Sequence, residues 1–157
     1  MITEDYVNFE TAKLLKEKGF DGMCYKVWES HDKGKPNLVA APWFVEGETA
    51  VNREAVDAAA KQYVYNYSLD NKVEGYLAPT LQMAVKWLRK KGFHIFVPLE
   101  IDYDEDERGD KWYHDATYYP EIRRVSDGKI MYDDGRLYAK PEQAYEVAIR
   151  YCLENLI

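Results

Sequence analysis

The sequence has little of what usually reveals a function. It contains no glycine-rich phosphate loop and no Gly-x-Ser-x-Gly turn, and its three histidines have no partner at the spacing of a helical zinc motif. No apolar run approaches the roughly 18 residues that a membrane helix needs. These absences disfavour the enzyme classes that motifs identify best, and we expect no cofactor, no metal and no membrane span.

The chain also lacks a basic excess and a cysteine framework. Its 157 residues have a net charge of −7, and the parts up to and after Ala78 contribute −4 and −3. Non-specific binding to nucleic acid needs a basic surface, so the charge disfavours it. Cys24 and Cys152 share no metal or redox spacing and are expected to be reduced core residues. The acidic start at Glu4 and Asp5 is unlike a secretion signal, so we expect a cytoplasmic protein.

What the sequence does contain is a short phrase used twice. Residues 12–20 (AKLLKEKGF) return as residues 85–93 (VKWLRKKGF), with five of nine positions identical. Each copy is typical of a helix end, a glycine that stops the helix and a phenylalanine that opens a strand. We therefore expect left-handed glycines and buried rings at the matching positions, which are Gly19 and Gly92, Phe20 and Phe93.

The sequence of the first half of the chain predicts a helix, a hairpin of two strands and a second helix, in that order. Apolar residues at helical spacing, alternation and turn residues give four elements: a helix over 9–18 after the cap Asn8, strands over 23–28 and 38–45, and a helix from the cap Asn52 to about Tyr67. The polar stretch 70–75 is the best internal boundary, so residues 1–74 and 75–157 are possible sub-blocks of one globular unit over 1–157.

The second half predicts a helix, an antiparallel meander and a last helix. The expected elements are a helix over 81–91 capped by Thr80, strands over 93–103, 111–119, 121–126 and 129–133, and a helix over 141–156. Alternation along the first strand predicts that it is half-buried. Its buried face would contain Phe93, Ile95, Val97, Leu99 and Ile101.

The acidic stretch 102–110 invites a calcium interpretation, because Asp102, Asp104 and Asp106 match the start of an EF-hand loop. The sixth position of that loop should be glycine and is Glu107, and the twelfth should be glutamate and is Tyr113. We therefore expect a solvated hairpin turn, whose charges also discourage edge-to-edge pairing of sheets.

Aromatic residues cluster in the strand over 111–119 and are the best candidates for contact with a partner. Strict alternation would place Trp112 and Tyr118 on one face and Tyr113 and Tyr119 on the other. One pair would be core, and the other would be exposed as tyrosine and tryptophan are at binding hot spots. The alternative is ordinary aromatic pairing across the strands.

Basic residues at the end of the third helix are the candidates for nucleic-acid binding. Lys86, Arg89, Lys90 and Lys91 lie within about two helical turns, so part of their charge shares a face. Arg123 and Arg124 are possible additions. The structural alternative is that cations in the last turn oppose the negative end of the helix.

Three segments resemble a known family. The helix phrase at 78–91 (APTLQMAVKWLRKK), the ending at 148–157 (AIRYCLENLI) and the opening at 9–20 are similar to a family of short, functionally uncharacterised proteins of phages and mobile elements in gut anaerobes. The resemblance implies a cytoplasmic accessory protein and supplies no catalytic residues. The stretch 46–74 departs from the family pattern.

The expected element order from Pro79 to Ile157 also resembles the double-stranded RNA-binding domain. That fold binds RNA with basic residues at the start of its last helix. The corresponding residues here are Lys140, Pro141, Glu142 and Gln143, only one of which is basic. The resemblance therefore concerns topology, because a shared fold does not transfer a function.

Together these patterns predict an α+β protein made of two helix-plus-antiparallel-meander blocks packed as one globule. The leading interpretation of its function is non-enzymatic binding of a protein partner. Nucleic-acid binding through the basic helix end is the alternative, and a small enzyme of unknown class is the third.

Overall fold

The computed structural model describes residues 4–31, 34–41 and 73–157. The predicted helix from Asn52 and the end of the strand over 38–45 lie outside these ranges. The described residues form three helices and eight strands that pair antiparallel in small sheets, which confirms the α+β class. None of these three helices is long and apolar enough to cross a membrane.

The chain divides into two compact units, residues 1–84 and 85–157. The prediction that residues 1–157 pack as one globule stays a prediction.

The first unit places one helix on a three-stranded antiparallel sheet. Its elements are α1 (Phe9–Glu17), β1 (Lys26–His31), β2 (Asn37–Ala40) and β3 (Val73–Ala78), with strand order β2-β1-β3. Residues 73–75 were expected in a polar connector, and this is wrong, because they begin β3 and pair with the end of β1. The strand predicted over 23–28 begins later, at Lys26.

Local chemistry explains where α1 begins and ends. Asn8 caps the helix, since its Oδ1 accepts a hydrogen bond from the Thr11 amide at 2.9 Å. Ala12 and Leu15 are buried, and the Phe9 ring meets Tyr76 of β3 edge-on at a centroid distance of 5.3 Å. The helix then stops at Gly19, whose φ is +80°.

The second unit contains the predicted sequence of helix, meander and helix. Its elements are the end of α2 (Leu81–Lys90), then β4 (Phe93–Phe96), β5 (Leu99–Glu105), β6 (Lys111–Tyr118), β7 (Glu121–Arg124), β8 (Ile130–Asp133) and α3 (Pro141–Asn155). Strands β4, β7 and β8 form one sheet in that order, and β5 and β6 form a separate pair. The single strand predicted over 93–103 is therefore two strands.

α3 covers the three-stranded sheet of this unit. It contacts β4, β6 and β7, and its buried residues include Ala144, Ala148 and Cys152. The paired residues Ile95 and Ile122 are buried in the same core. Packing of a helix on one sheet face is the arrangement expected for an amphipathic helix and an alternating strand.

The repeated phrase has the same local structure in both copies. Gly92 ends α2 with a φ of +100°, as Gly19 ends α1, so the predicted left-handed glycines are confirmed. Phe20 is buried as expected, whereas Phe93 is only half-buried.

Candidate functional site

Residues 99–118, comprising β5, the turn and β6, are called the ribbon below. The ribbon continues the hairpin of β4 and β7, because the pairing register does not change between them. Phe96 faces Glu121 in the sheet, and three residues on, Leu99 faces Tyr118 in the ribbon. One long hairpin therefore starts in the core of the unit and extends beyond it.

Two prolines separate the ribbon from the sheet. In the unbroken register Val97 is opposite Pro120 and Pro98 is opposite Tyr119. The Tyr119 amide donates to the Pro98 carbonyl at 3.4 Å, but Pro98 has no N–H to give in return. The ladder is interrupted at this step, which explains why one alternating stretch of sequence forms two strands.

A bulge in β6 changes which aromatic residues share a face. Ile101 faces Ala116 and Tyr103 faces Tyr113, so two residues advance on β5 while three advance on β6. Tyr113 therefore lies on the same side as Tyr118, and Trp112 lies on the opposite side, facing Asp104. The prediction that Trp112 and Tyr118 share a face is wrong, because strict alternation does not allow for an extra residue.

One side of the ribbon is an exposed apolar face. It consists of Leu99, Ile101, Tyr103 and Tyr113, whose exposed fractions are 51%, 45%, 50% and 68%. By alternation these β5 residues continue the side of β4 on which Ile95 is buried. The prediction that Leu99 and Ile101 are buried is wrong: α3 covers the sheet, but β5 is exposed along its whole length.

The other side of β5 is an acidic face, made of Glu100, Asp102 and Asp104. From Leu99 to Asp104 the strand thus alternates between apolar and acidic side chains. The whole ribbon has eight acidic and two basic residues, a net charge of −6, against −7 for the entire chain. Nearly all of the protein's net charge is therefore concentrated in this one hairpin.

Contacts between side chains support the end of the ribbon. Lys111 Nζ lies 3.6 Å from a Glu105 carboxylate oxygen and 4.3 Å from the centroid of the Tyr103 ring. The Tyr103 and Tyr113 rings meet edge-on at 6.2 Å. On the acidic face, His114 Nε2 is 2.7 Å from Asp104 Oδ2. These pairs order a hairpin that buries little of its own surface.

The turn of the ribbon is built by its own acidic side chain. Asp106 Oδ1 accepts hydrogen bonds from the amides of Arg108 and Asp110, at 2.8 and 2.9 Å, and Gly109 has a φ of +83°. In the described ranges, no group of three or more His, Cys, Asp or Glu residues is placed to hold a metal ion. Asp106 acts here as a turn-forming residue.

The four aromatic candidates divide into two pairs. Trp112 and Tyr113 are exposed, on opposite faces of the ribbon. Tyr118 and Tyr119 are half-buried at its base, where Tyr118 exchanges two backbone hydrogen bonds with Tyr138. The first pair therefore lies exposed on the ribbon itself, and Tyr118 and Tyr119 lie where the ribbon joins the rest of the unit.

The basic candidates lie at the end of α2. All four, Lys86, Arg89, Lys90 and Lys91, are exposed. Arg89 Nε donates to His94 Nδ1 at 2.8 Å, and Lys91 Nζ lies 5.0 Å from the Trp87 ring centroid. Two of the four cations therefore have contacts within the protein, which agrees with a structural use at the helix end.

The remaining basic and thiol candidates also have local explanations. Arg123 pairs with Glu121 and Arg124 with Asp127, and the Arg124 hydrogen bond holds the Asp127 pKa at about 2. Burial raises the pKa of the Cys24 and Cys152 thiols to about 12. Both cysteines are buried, as expected, and buried thiols of raised pKa are unreactive.

Sequence reasoning missed the β5 half of the apolar face. Leu99, Ile101 and Tyr103 were assigned to a buried or unremarkable strand, since alternation alone does not show whether anything covers a face. The available signal was Pro98, because a proline within an alternating run has no N–H to donate to the ladder. The concentration of acidic residues after Pro98 was a second signal.

No protein-family model, curated protein or solved structure matches this chain.

Proposed function

We propose that this protein is a non-enzymatic binding protein and that the ribbon is the element that contacts its protein partner. The observation that supports the proposal is the exposed apolar face of Leu99, Ile101, Tyr103 and Tyr113. Fully burying an exposed aliphatic side chain is worth about 1.5–3 kcal/mol. Leu99 and Ile101 are half exposed, so covering either contributes about half of this, before the costs of association.

The composition of this face agrees with an interface better than with an ordinary surface. Single exposed apolar residues are common on proteins, but contiguous ones mark interaction sites. Here two aliphatic and two tyrosine side chains lie together on two paired strands. Tyrosine is also among the residue types enriched at the centres of interfaces.

The resemblance of residues 78–91 and 148–157 to proteins of phages and mobile elements gives the proposal its setting. We place the protein in the cytoplasm as an accessory factor of such an element. The activity that we propose for such a factor is binding, for which the ribbon provides an exposed surface.

Selection of ligands from a library of random short peptides tests the proposal. Wild-type protein is the bait, and each enriched peptide is then measured against Leu99→Thr/Ile101→Thr/Tyr113→Thr, in which threonine keeps strand propensity and removes apolar area. We expect affinity to fall at least about tenfold, since three contacts are lost.

The matched control changes three equally exposed apolar residues outside the ribbon, as Val125→Thr/Ile130→Thr/Leu137→Thr. The control variant is expected to bind as wild type does. Peptides that bind the ribbon variant and wild type equally well, or a selection that enriches no peptide, would overturn the proposal.

A further inference from the structure

The outer edge of β5 is open for pairing with another strand. Within the described ranges, β5 has β6 as its only strand neighbour. The outer edge of β6 differs, because Tyr138 bonds to it at Tyr118 and the bulge between Ala116 and Tyr113 interrupts the rest. An added strand has the longest uninterrupted edge along β5, from Leu99 to Glu105.

The register shows which backbone groups point out from that edge. The N–H and C=O of Tyr118 bond to Tyr138, so they point away from β5, and Tyr118 with Leu99 is a non-hydrogen-bonded pair. Such pairs alternate with hydrogen-bonded ones along an antiparallel ladder. The outward backbone groups of β5 therefore belong to Leu99, Ile101 and, by alternation, Tyr103.

A strand added antiparallel to this edge would place its side chains alternately on the apolar and the acidic face of the ribbon. Its residues opposite Leu99, Ile101 and Tyr103 would share the apolar face and make the backbone hydrogen bonds. Its residues opposite Glu100, Asp102 and Asp104 would lie on the acidic face. Directly opposite charges of unlike sign stabilise a strand pair, and like charges destabilise it.

The same pattern disfavours a second copy of this chain. Two β5 edges paired with each other would bring together the carboxylates of two acidic faces. Charged side chains on an edge strand are a known protection of open edges against self-pairing. The ribbon's net charge of −6 repels nucleic acid for the same reason.

We infer that the ribbon binds an extended segment of a partner protein in which apolar residues alternate with lysine or arginine, added as a strand to the edge of β5. This inference rests on the proposed function and names the chemistry of the partner. Main-chain hydrogen bonds supply affinity in this mode, and alternate side chains supply specificity.

Synthetic peptides test the inference directly. The probe alternates lysine and valine over the length of β5, and its binding is followed by fluorescence anisotropy and by amide shifts of residues 99–105. A peptide of the same composition with lysines and valines in separate blocks is the control for charge alone. We expect the alternating peptide to bind at least about tenfold more tightly, because only it matches both faces.

Backbone methylation separates strand addition from adhesion through side chains. In the inferred register the valine amides donate to the β5 edge and the lysine amides point away. N-methylation of the valines should abolish binding, and N-methylation of the lysines should be tolerated. If N-methylation of the valines and N-methylation of the lysines reduced binding equally, the inferred register would be overturned.

Charge exchange tests the acidic face. The variant Glu100→Lys/Asp102→Lys should no longer bind the lysine–valine peptide and should instead bind a glutamate–valine peptide. The neutral variant Glu100→Gln/Asp102→Asn should bind the lysine–valine peptide about three- to tenfold more weakly than wild type. Concentration-dependent dimerisation of wild type in sedimentation, or binding of duplex RNA that competes with the peptide, would count against the inference.

The two proposals fail differently. Ligands that depend on Leu99, Ile101 and Tyr113 but show no preference for alternating basic residues would overturn the inference and leave the proposed function standing. Ligands that bind the Leu99→Thr/Ile101→Thr/Tyr113→Thr variant as tightly as wild type would overturn both the inference and the proposed function.

Discussion

At the scale of single residues, Gly19 and Gly92 show how a repeated local phrase fixes a repeated local structure. Both have φ angles that residues with a Cβ rarely adopt, and a Cβ added at either position would meet nothing within 4 Å. The backbone conformation is therefore the reason for glycine at these sites, and not the lack of space. This part of the structure is predictable from sequence, because a helix stop depends on neighbouring residues.

Gly92→Ala should lower the free energy of unfolding by about 1 kcal/mol, since alanine must adopt the left-handed region. Gly92→Asn should lower the free energy of unfolding less than Gly92→Ala does, because asparagine adopts the left-handed region more readily than alanine. Urea unfolding of the two variants against wild type measures the difference. An alanine variant as stable as wild type would show that the φ angle is not required.

His94 should titrate below its ordinary pKa of 6.5, because burial and then the positive charge of Arg89 both disfavour its protonated form. The folded-state pKa is thus below the unfolded one, and the stability due to neutral His94 is lost as pH falls below 6.5. Titration of the His94 ring signals by NMR measures this pKa.

Two variants of Arg89 test the cause of the His94 shift. Arg89→Gln should raise the His94 pKa part of the way toward 6.5, since burial remains, and Arg89→Lys should raise it less because the charge is kept. An unchanged pKa in Arg89→Gln would exclude the charge of Arg89 as a cause.

At the scale of elements, the sequence predicted the order of helices and strands in the second unit better than their exposure. Helix α2 with its Thr80 cap, whose Oγ1 accepts from the Met83 amide at 3.2 Å, and α3 from Pro141 are where the local signals placed them. The strand predicted over 93–103 was expected to be half-buried, but its part in the ribbon is exposed. Whether a strand face is covered depends on distant residues, and alternation alone contains no information about them.

Removal of the ribbon should leave the rest of the unit folded. Replacing residues 101–116 by Asn-Gly joins Glu100 to Thr117, a hydrogen-bonded pair in the register above, and a two-residue turn of this type suits such a pair. We expect stability within about 1 kcal/mol of wild type, because the removed residues are almost all exposed.

Ile122→Ala is the contrasting control, because Ile122 is fully buried in the sheet. It should cost about 2–5 kcal/mol. Both variants are compared with wild type by thermal unfolding. Loss of cooperative unfolding in the shortened variant would show that the ribbon stabilises the fold.

Calcium should not raise the melting temperature. The turn of the ribbon fails the EF-hand pattern at Glu107 and Tyr113, and Asp106 already accepts two backbone hydrogen bonds. A ligand that binds the native state stabilises it by mass action, so a clear rise at saturating calcium, absent with magnesium, would reveal a site there.

At the scale of the whole molecule, charge is distributed unevenly. The ribbon has −6 of the −7 net charge, so the rest of the chain is close to neutral. A division into halves, with −4 before and −3 after Ala78, hides this asymmetry. The proposal of a basic partner segment therefore rests on the position of the charge in the fold. That position is visible in the sequence only once the ends of the hairpin are known.

The intact protein should not bind RNA or DNA at physiological salt, because the acidic ribbon and the internal contacts of Arg89 and Lys91 oppose it. Arg89→Glu/Lys90→Glu/Lys91→Glu should consequently change neither nucleic-acid binding nor peptide binding. A mobility-shift titration measures the first and anisotropy the second. Binding that weakens steeply with salt and disappears in this variant would favour a nucleic-acid function.

The unbroken register across Pro98 and Pro120 affects how the sequence of this protein can change during evolution. A hairpin that leaves the core in fixed pairing can gain or lose residues near its turn, one on each strand, and every remaining side chain keeps its side. Insertions, deletions and substitutions in residues 99–118 should therefore be tolerated without changes in the helices. Sequence divergence between lineages would then be concentrated in the hairpin.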